Sequence, residues 1–209
     1  MSLRKDKAAR LKLAVLDQSL KLIGKKPFEE LYVEDICAKV KISKVTLFKY
    51  FPRKEDILAY YFRVWCMRRL VELKEKPREG IQGILYLFDK LSDDAELHPG
   101  IHMSLVGYQV DPARPLKPFP VKAEEKKFLF PANPEATSME ILSLDQLLEK
   151  FTLEAIFKKE ITRATSTRDV TNLLITLFYG SLVTANVQQI NPLKMFLRRQ
   201  VEMALKGLQ

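Results

Sequence analysis

The sequence predicts an all-α protein. Apolar residues recur at steps of three and four along nearly the whole chain. No run alternates in the two-residue period of a half-buried strand, and prolines and small capping residues punctuate the periodic stretches at helical lengths. With 209 residues and 47% hydrophobic content, the chain is long enough for one large domain or two small ones with a real core. The expected division is a three-helix unit at 1–53 and a helical body at 54–209.

The first helix is expected at about 5–24. Ala8, Leu11, Val15, Ser19 and Leu22 make one face, Leu16 and Ile23 widen it, and Gly24 suits the C-terminal cap. Lys25, Lys26 and Pro27 then break the chain. A second helix follows at about 33–40, with Ile36, Cys37 and Val40 inward. Lys41-Ile42 forms the turn, and a third helix runs from a cap at Ser43 to Phe51. Pro52 cannot continue that helix. Together these pieces read as a helix-turn-helix.

A long fourth helix is expected at about 54–76, with Ile57, Leu58, Tyr61, Phe62, Trp65 and Leu70 as its apolar stripe and Pro77 as its stop. The fifth is placed at about 78–91 and the sixth at about 100–110. Residues 111–120 hold four prolines and read as a loop; Pro131 and Pro134 mark a second break. A helix is expected at about 138–162, another at about 168–189 behind a cap at Ser166 or Thr167, and a last one from Asn191-Pro192 to about Lys206.

The charge is unevenly placed. Residues 1–76 hold 19 Lys and Arg against 10 Asp and Glu, whereas residues 77–209 hold 16 of each. The whole excess of +9 therefore sits in the N-terminal third. That is the pattern of a polyanion-binding module on a neutral body, with a solvated lysine-rich surface as the alternative. Cys37 and Cys66 fit no metal spacing and read as reduced core residues. No metal or cofactor is expected.

A helix that enters the major groove must present a short exposed face. On the third helix that face holds Lys44, Val45 and Thr46. Lys44 can reach a guanine edge or a phosphate, Val45 a thymine methyl, and Thr46 a base or a phosphate. Ser43, Lys49 and Tyr50 flank them and suit backbone contacts. Lys54, just beyond Pro52, is expected to hold a phosphate, and Tyr32 is a further phosphate candidate. Arg4, Lys5 and Lys7 read as an arm over DNA or a disordered tail.

Several of these positions carry a resemblance. Phe28, Val33-Glu34-Asp35-Ile36, Ser43-Lys44, Thr46-Leu47, Tyr50-Phe51 and Lys54-Glu55 resemble the signature of the TetR family of bacterial transcriptional regulators, over about residues 8–60. The resemblance implies a homodimer whose subunits each pair a DNA-binding unit with a ligand-holding helical body. The fourth helix would relay ligand state, and the usual action would be repression of a palindromic operator, released by ligand. Four positions depart from the family pattern. Tyr32 replaces the usual threonine, Lys41 the turn glycine, Val45 a smaller residue, and Phe48 a tyrosine. If Lys41 needs positive φ, the strain is about 1 kcal/mol.

For the body, an apolar or aromatic small-molecule effector is expected among Phe62, Trp65, Cys66, Phe88, His102, Met103, Tyr108, Phe178 and Asn186; plain core is the alternative for each. His98 and His102 are separated by Pro99-Gly100, which spoils helical metal geometry. The helices at about 168–189 and 192–206 are apolar over a wide arc, which packing inside one subunit or a dimer interface would each explain; the resemblance favours the dimer. The window 173–187 reads as too short and too polar for a bilayer span, so no membrane is expected and the location implied is cytoplasmic. Glu124-Glu125 read as solvated. No nucleophile motif, phosphate-cradling glycine loop or HExxH pattern is present, so no enzyme is expected. The alternative to a ligand-released repressor is a DNA-binding regulator of the same fold that answers to a protein partner or has no small ligand.

Overall fold

A computed structural model describes residues 3–24, 26–111, 119–163 and 166–209. Among the described residues there are ten α-helices and two 3-10 turns, and no strand. The helices are α1 Leu3–Ile23, α2 Val33–Val40, α3 Lys44–Tyr50, α4 Asp56–Glu75, α5 Gly80–Leu97, α6 Pro99–Val110, α7 Ala123–Leu129, α8 Leu144–Phe157, α9 Thr167–Val187 and α10 Leu193–Leu208. The 3-10 turns are Phe28–Glu30 and Pro134–Thr137.

The helices gather into two compact units. The first holds residues 1–68 and 98–141, the second residues 69–97 and 142–209. These packing units differ from a division at residue 53, because residues 98–141 belong with the N-terminal helices.

In the first unit, Val15, Phe28, Ile36, Leu47, Phe51, Ile57 and Tyr60 are fully buried in one core. Leu105 of α6 and the half-buried Phe119 join it. Phe119 stacks on Phe51 at 5.4 Å between ring centroids and meets Tyr60 edge-on at 5.6 Å. α6 lies close on the turn before residue 28: a Cβ on Gly100 would fall 1.7 Å from the Lys26 carbonyl oxygen. The Ser104 hydroxyl accepts from the Phe28 N–H at 3.1 Å and bonds Glu29 Oε2 at 3.0 Å. In the second unit, α5 packs on α8 and α10, and α9 packs on both of those. A Cβ on Gly83 of α5 would lie 2.3 Å from the Phe151 ring, so glycine sets that close approach.

Several expectations change. Arg4, Lys5 and Lys7 are part of α1 and not a separate arm. α7 was not expected; Glu125 on it is buried, because Lys12 of α1 supplies an ammonium 2.5 Å away. The helix expected at 138–162 is only Leu144–Phe157. Ser143 caps it, accepting from the Gln146 N–H at 3.1 Å, and Gln146 returns the bond to the Ser143 N–H at 2.8 Å. Of the proline-rich loop expected at 111–120, residues 112–118 lie outside the described ones. α9 is 21 residues long, longer than the window 173–187, and by length and composition alone it is apolar enough to cross a membrane. Its Val170, Leu174, Phe178 and Leu182 are buried within the second unit, as in a core helix.

Candidate nucleic-acid interface

α2 ends at Lys41, whose backbone is left-handed at φ 59° and ψ 50°. That conformation turns the chain sharply, and the Ile42 N–H closes it on the Cys37 carbonyl at 3.0 Å. Ser43 then opens α3, its hydroxyl accepting from the Thr46 N–H at 3.1 Å. Leu47 and Phe51 anchor α3 in the core at 0% exposure. The opposite face is consequently pushed outward. Val45 is 81% exposed, and Lys44 and Lys49 are exposed beside it.

The remaining reader residues fall as follows. Thr46 is half-buried, with its hydroxyl 3.0 Å from that of Ser43. Tyr50 is half-buried at the end of α3. Tyr32 is 67% exposed at the N-cap of α2 and makes no capping bond, consistent with a phenol too long to reach back. Lys44 pairs with Glu34 of α2, and that bond holds the Glu34 carboxyl below the usual carboxylate range. Burial pushes the Cys37 thiol up, so it stays protonated.

Lys54, expected to hold a phosphate, bonds within the chain. Its ammonium donates to the carbonyls of Phe28, Glu29 and Leu31 at 3.3, 3.1 and 3.1 Å. Its three N–H groups are thereby matched to three backbone oxygens of this segment, one of which, that of Phe28, also accepts from the Leu31 N–H at 3.0 Å. Periodicity cannot reveal such a bond, because the acceptors are main-chain atoms of a distant turn.

The nine effector candidates are divided between the two units. Phe62, Trp65, Cys66, His102, Met103 and Tyr108 belong to the first unit, and Phe88, Phe178 and Asn186 to the second. Phe62 stacks on Trp65 at 5.7 Å. Cys66 is buried, while Met103 and Tyr108 are half-buried. His102 is buried with its Nε2 3.5 Å from the Tyr61 hydroxyl. Phe88 and Phe178 meet edge-on at 5.6 Å inside the second core, which makes them packing residues there. Asn186 is exposed on α9.

Residues 15–61 match the sequence profile of the bacterial regulatory proteins of the tetR family. This segment is of the tetR family. No curated protein sequence matches the chain. Solved structures do match its fold. A TetR transcriptional regulator from Rhodococcus sp. RHA1 is 13% identical, with a TM-score of 0.58 over 98% of this chain and 100% of that one. The reduced form of E. coli NemR is 12% identical, with a TM-score of 0.59 over 91% and 95%. Salmonella enterica GusR is 17% identical, with a TM-score of 0.53 over 94% and 96%. At these identities the likeness is one of fold. The tetR segment spans α2, the Lys41 turn and α3 entirely, so the exposed face of Lys44, Val45 and Lys49 lies inside it.

Proposed function

We propose that this chain is a dimeric, sequence-specific DNA-binding transcriptional regulator that represses from a palindromic operator and is released by a small apolar or aromatic ligand. The observation that carries this reading is α3 within the tetR segment. A capped helix is anchored by Leu47 and Phe51 and turns Lys44, Val45 and Lys49 outward. This geometry suits a major groove, and the N-terminal excess of positive charge suits its phosphate walls.

Dimerisation is supported by apolar side chains left exposed on two neighbouring helices: Leu173, Val183 and Val187 on α9, and Met195 and Met203 on α10. A twofold dimer through these helices would cover them and would present two readers to a palindrome. The effector reading rests on His102 and Tyr61, a buried polar pair in aromatic surroundings of the kind that orients an apolar ligand.

Selection of bound DNA from a random pool tests the central claim. A palindrome with half-sites about one helical turn apart is expected, and failure to enrich any site would overturn the reading. Sedimentation should give a dimer; a stable monomer at micromolar concentration would remove the interface. A ligand screen for release from the selected site then tests the effector.

A further inference from the structure

Beside the C-terminal end of α3 the first unit holds a cleft of about 310 Å³ that the helix-turn-helix itself does not account for. α1 forms one wall, where Ala8 and Ala9 keep the surface low, and the segment 120–125 forms another. Lys49 and Tyr50, from the last turn of α3, close it. Four lysines meet here: Lys5, Lys12, Lys49 and Lys122.

The two carboxylates in the cleft are already engaged. Glu125 accepts from the Lys12 ammonium at 2.5 Å and from the Lys122 backbone N–H at 2.5 Å. Glu124 lies 3.8 Å from the Lys5 ammonium. The Lys12 ammonium is committed further, donating to the Pro120 carbonyl at 3.2 Å and lying 4.3 Å from the Tyr60 ring centroid. Lys49 and Lys122 have no such partner; among the described residues neither ammonium pairs with a carboxylate. Burial lowers the proton affinity of Lys12, the bond to Glu125 partly offsets it, and the Lys122 charge adds a smaller push downward. Two unpaired ammonium groups beside a third buried one make a place for an anion.

We infer that this cleft seats a phosphate of the DNA backbone, so that Lys122, from outside the helix-turn-helix, extends the DNA contact of Lys49. The inference rests on the proposed DNA-binding function. Its occupant follows from position. A helix in the major groove runs between two sugar-phosphate walls, so a strand passing the end of α3 meets Lys49 and then the cleft. The contact is one of charge, without base recognition.

Binding of the full chain to its selected site and to random DNA, measured from 50 to 200 mM salt, tests this. Each phosphate contact contributes a slope of about 0.9, or about a threefold change in affinity across that range. Lys122→Ala is expected to lower the slope by about one unit on both DNAs, equally. Lys127→Ala, exposed on α7 but outside the cleft, should leave it unchanged. An operator with one neutral methylphosphonate at the contacted position should cost wild type what Lys122→Ala costs, and cost Lys122→Ala nothing more. Unchanged slope and affinity in Lys122→Ala, with wild type still binding DNA, overturn the cleft contact alone. If wild type binds no DNA, both this contact and the proposed function fall. If inorganic phosphate raises the melting temperature of wild type but not of Lys122→Ala while the slope stays fixed, the cleft takes a free anion and the inference is wrong.

Discussion

The Lys54 ammonium lies 3.3 Å from the Phe28 carbonyl oxygen and 5.1 Å from the centroid of the Phe28 ring. One lysine thus fastens the residues before α4 to the turn that follows α1. Phe28 is itself buried and held from the other side by Ser104 of α6. Lys54→Met keeps the aliphatic stem over the ring and deletes the charge-assisted bonds to three carbonyls. It is expected to destabilise the chain by about 1–3 kcal/mol, read as a lower urea midpoint. The salt dependence of DNA binding, measured where the variant is folded, should match wild type. A slope smaller by about one unit would restore Lys54 to the phosphate role.

The Lys44–Glu34 pair leads to a second prediction. Lys44 sits where α3 presents its exposed face, and Glu34 supplies an internal counter-charge from α2. An ammonium neutralised within the protein has less to offer a phosphate or a guanine edge. Glu34→Gln keeps the shape and removes the charge. Affinity for random DNA should rise, and the ratio of operator to random affinity should narrow. Competition binding at fixed salt reads both quantities; tighter binding confined to the operator would argue against a restraining role for Glu34.

The reader was far more legible in the sequence than the contacts that fix it. Gly24, Ser43 and Pro52 mark boundaries through local chemistry alone, whereas the left-handed backbone at Lys41 is suggested only by the turn glycine that the resembled family has there. The burial of Glu125 has no local signal, because its charge is balanced by Lys12 of α1, distant in sequence. Read locally, Glu124-Glu125 in a proline-flanked segment resembles solvent-facing chain and carries no signal for α7. The role of Lys54 was hidden for a related reason: backbone carbonyls carry no sequence signature. Aromatic periodicity identified Phe88 and Phe178 as inward residues, but it could not say whether they line a cavity or simply meet each other.

Lys41 offers a test of backbone strain. An L-residue at φ 59° brings its Cβ close to the following carbonyl, at a cost of about 1–2 kcal/mol, and glycine avoids the clash. Glycine also gives the unfolded chain more freedom, which returns about 0.4–1 kcal/mol of that gain. Lys41→Gly is therefore expected to stabilise the chain by about 0.5 kcal/mol in urea unfolding, while Lys41→Val destabilises it. A destabilised glycine variant would mean that the lysine side chain contributes more than its backbone costs.

Glu72 gives the second unit an acid-sensitive bond. Burial alone would raise its carboxyl, but hydrogen bonds from Tyr86 and from Arg69, the latter at 2.7 Å, outweigh it and hold the group below 4.5. The same environment, burial first, pushes the Tyr86 hydroxyl up, so the phenol remains the donor across the working pH range. A carboxyl lowered in the folded state binds fewer protons there than in the unfolded chain. Its stabilisation is complete above about pH 4.5 and is lost as the pH falls through the folded value. Tyr86→Phe removes one donor, so the Glu72 carboxyl should move back toward its ordinary value. The expected result is a shallower fall in the urea midpoint between about pH 5 and 3 than in wild type. An unchanged acid slope would show that Arg69 and Lys90, the latter 3.9 Å from Glu72, hold the carboxylate without the phenol.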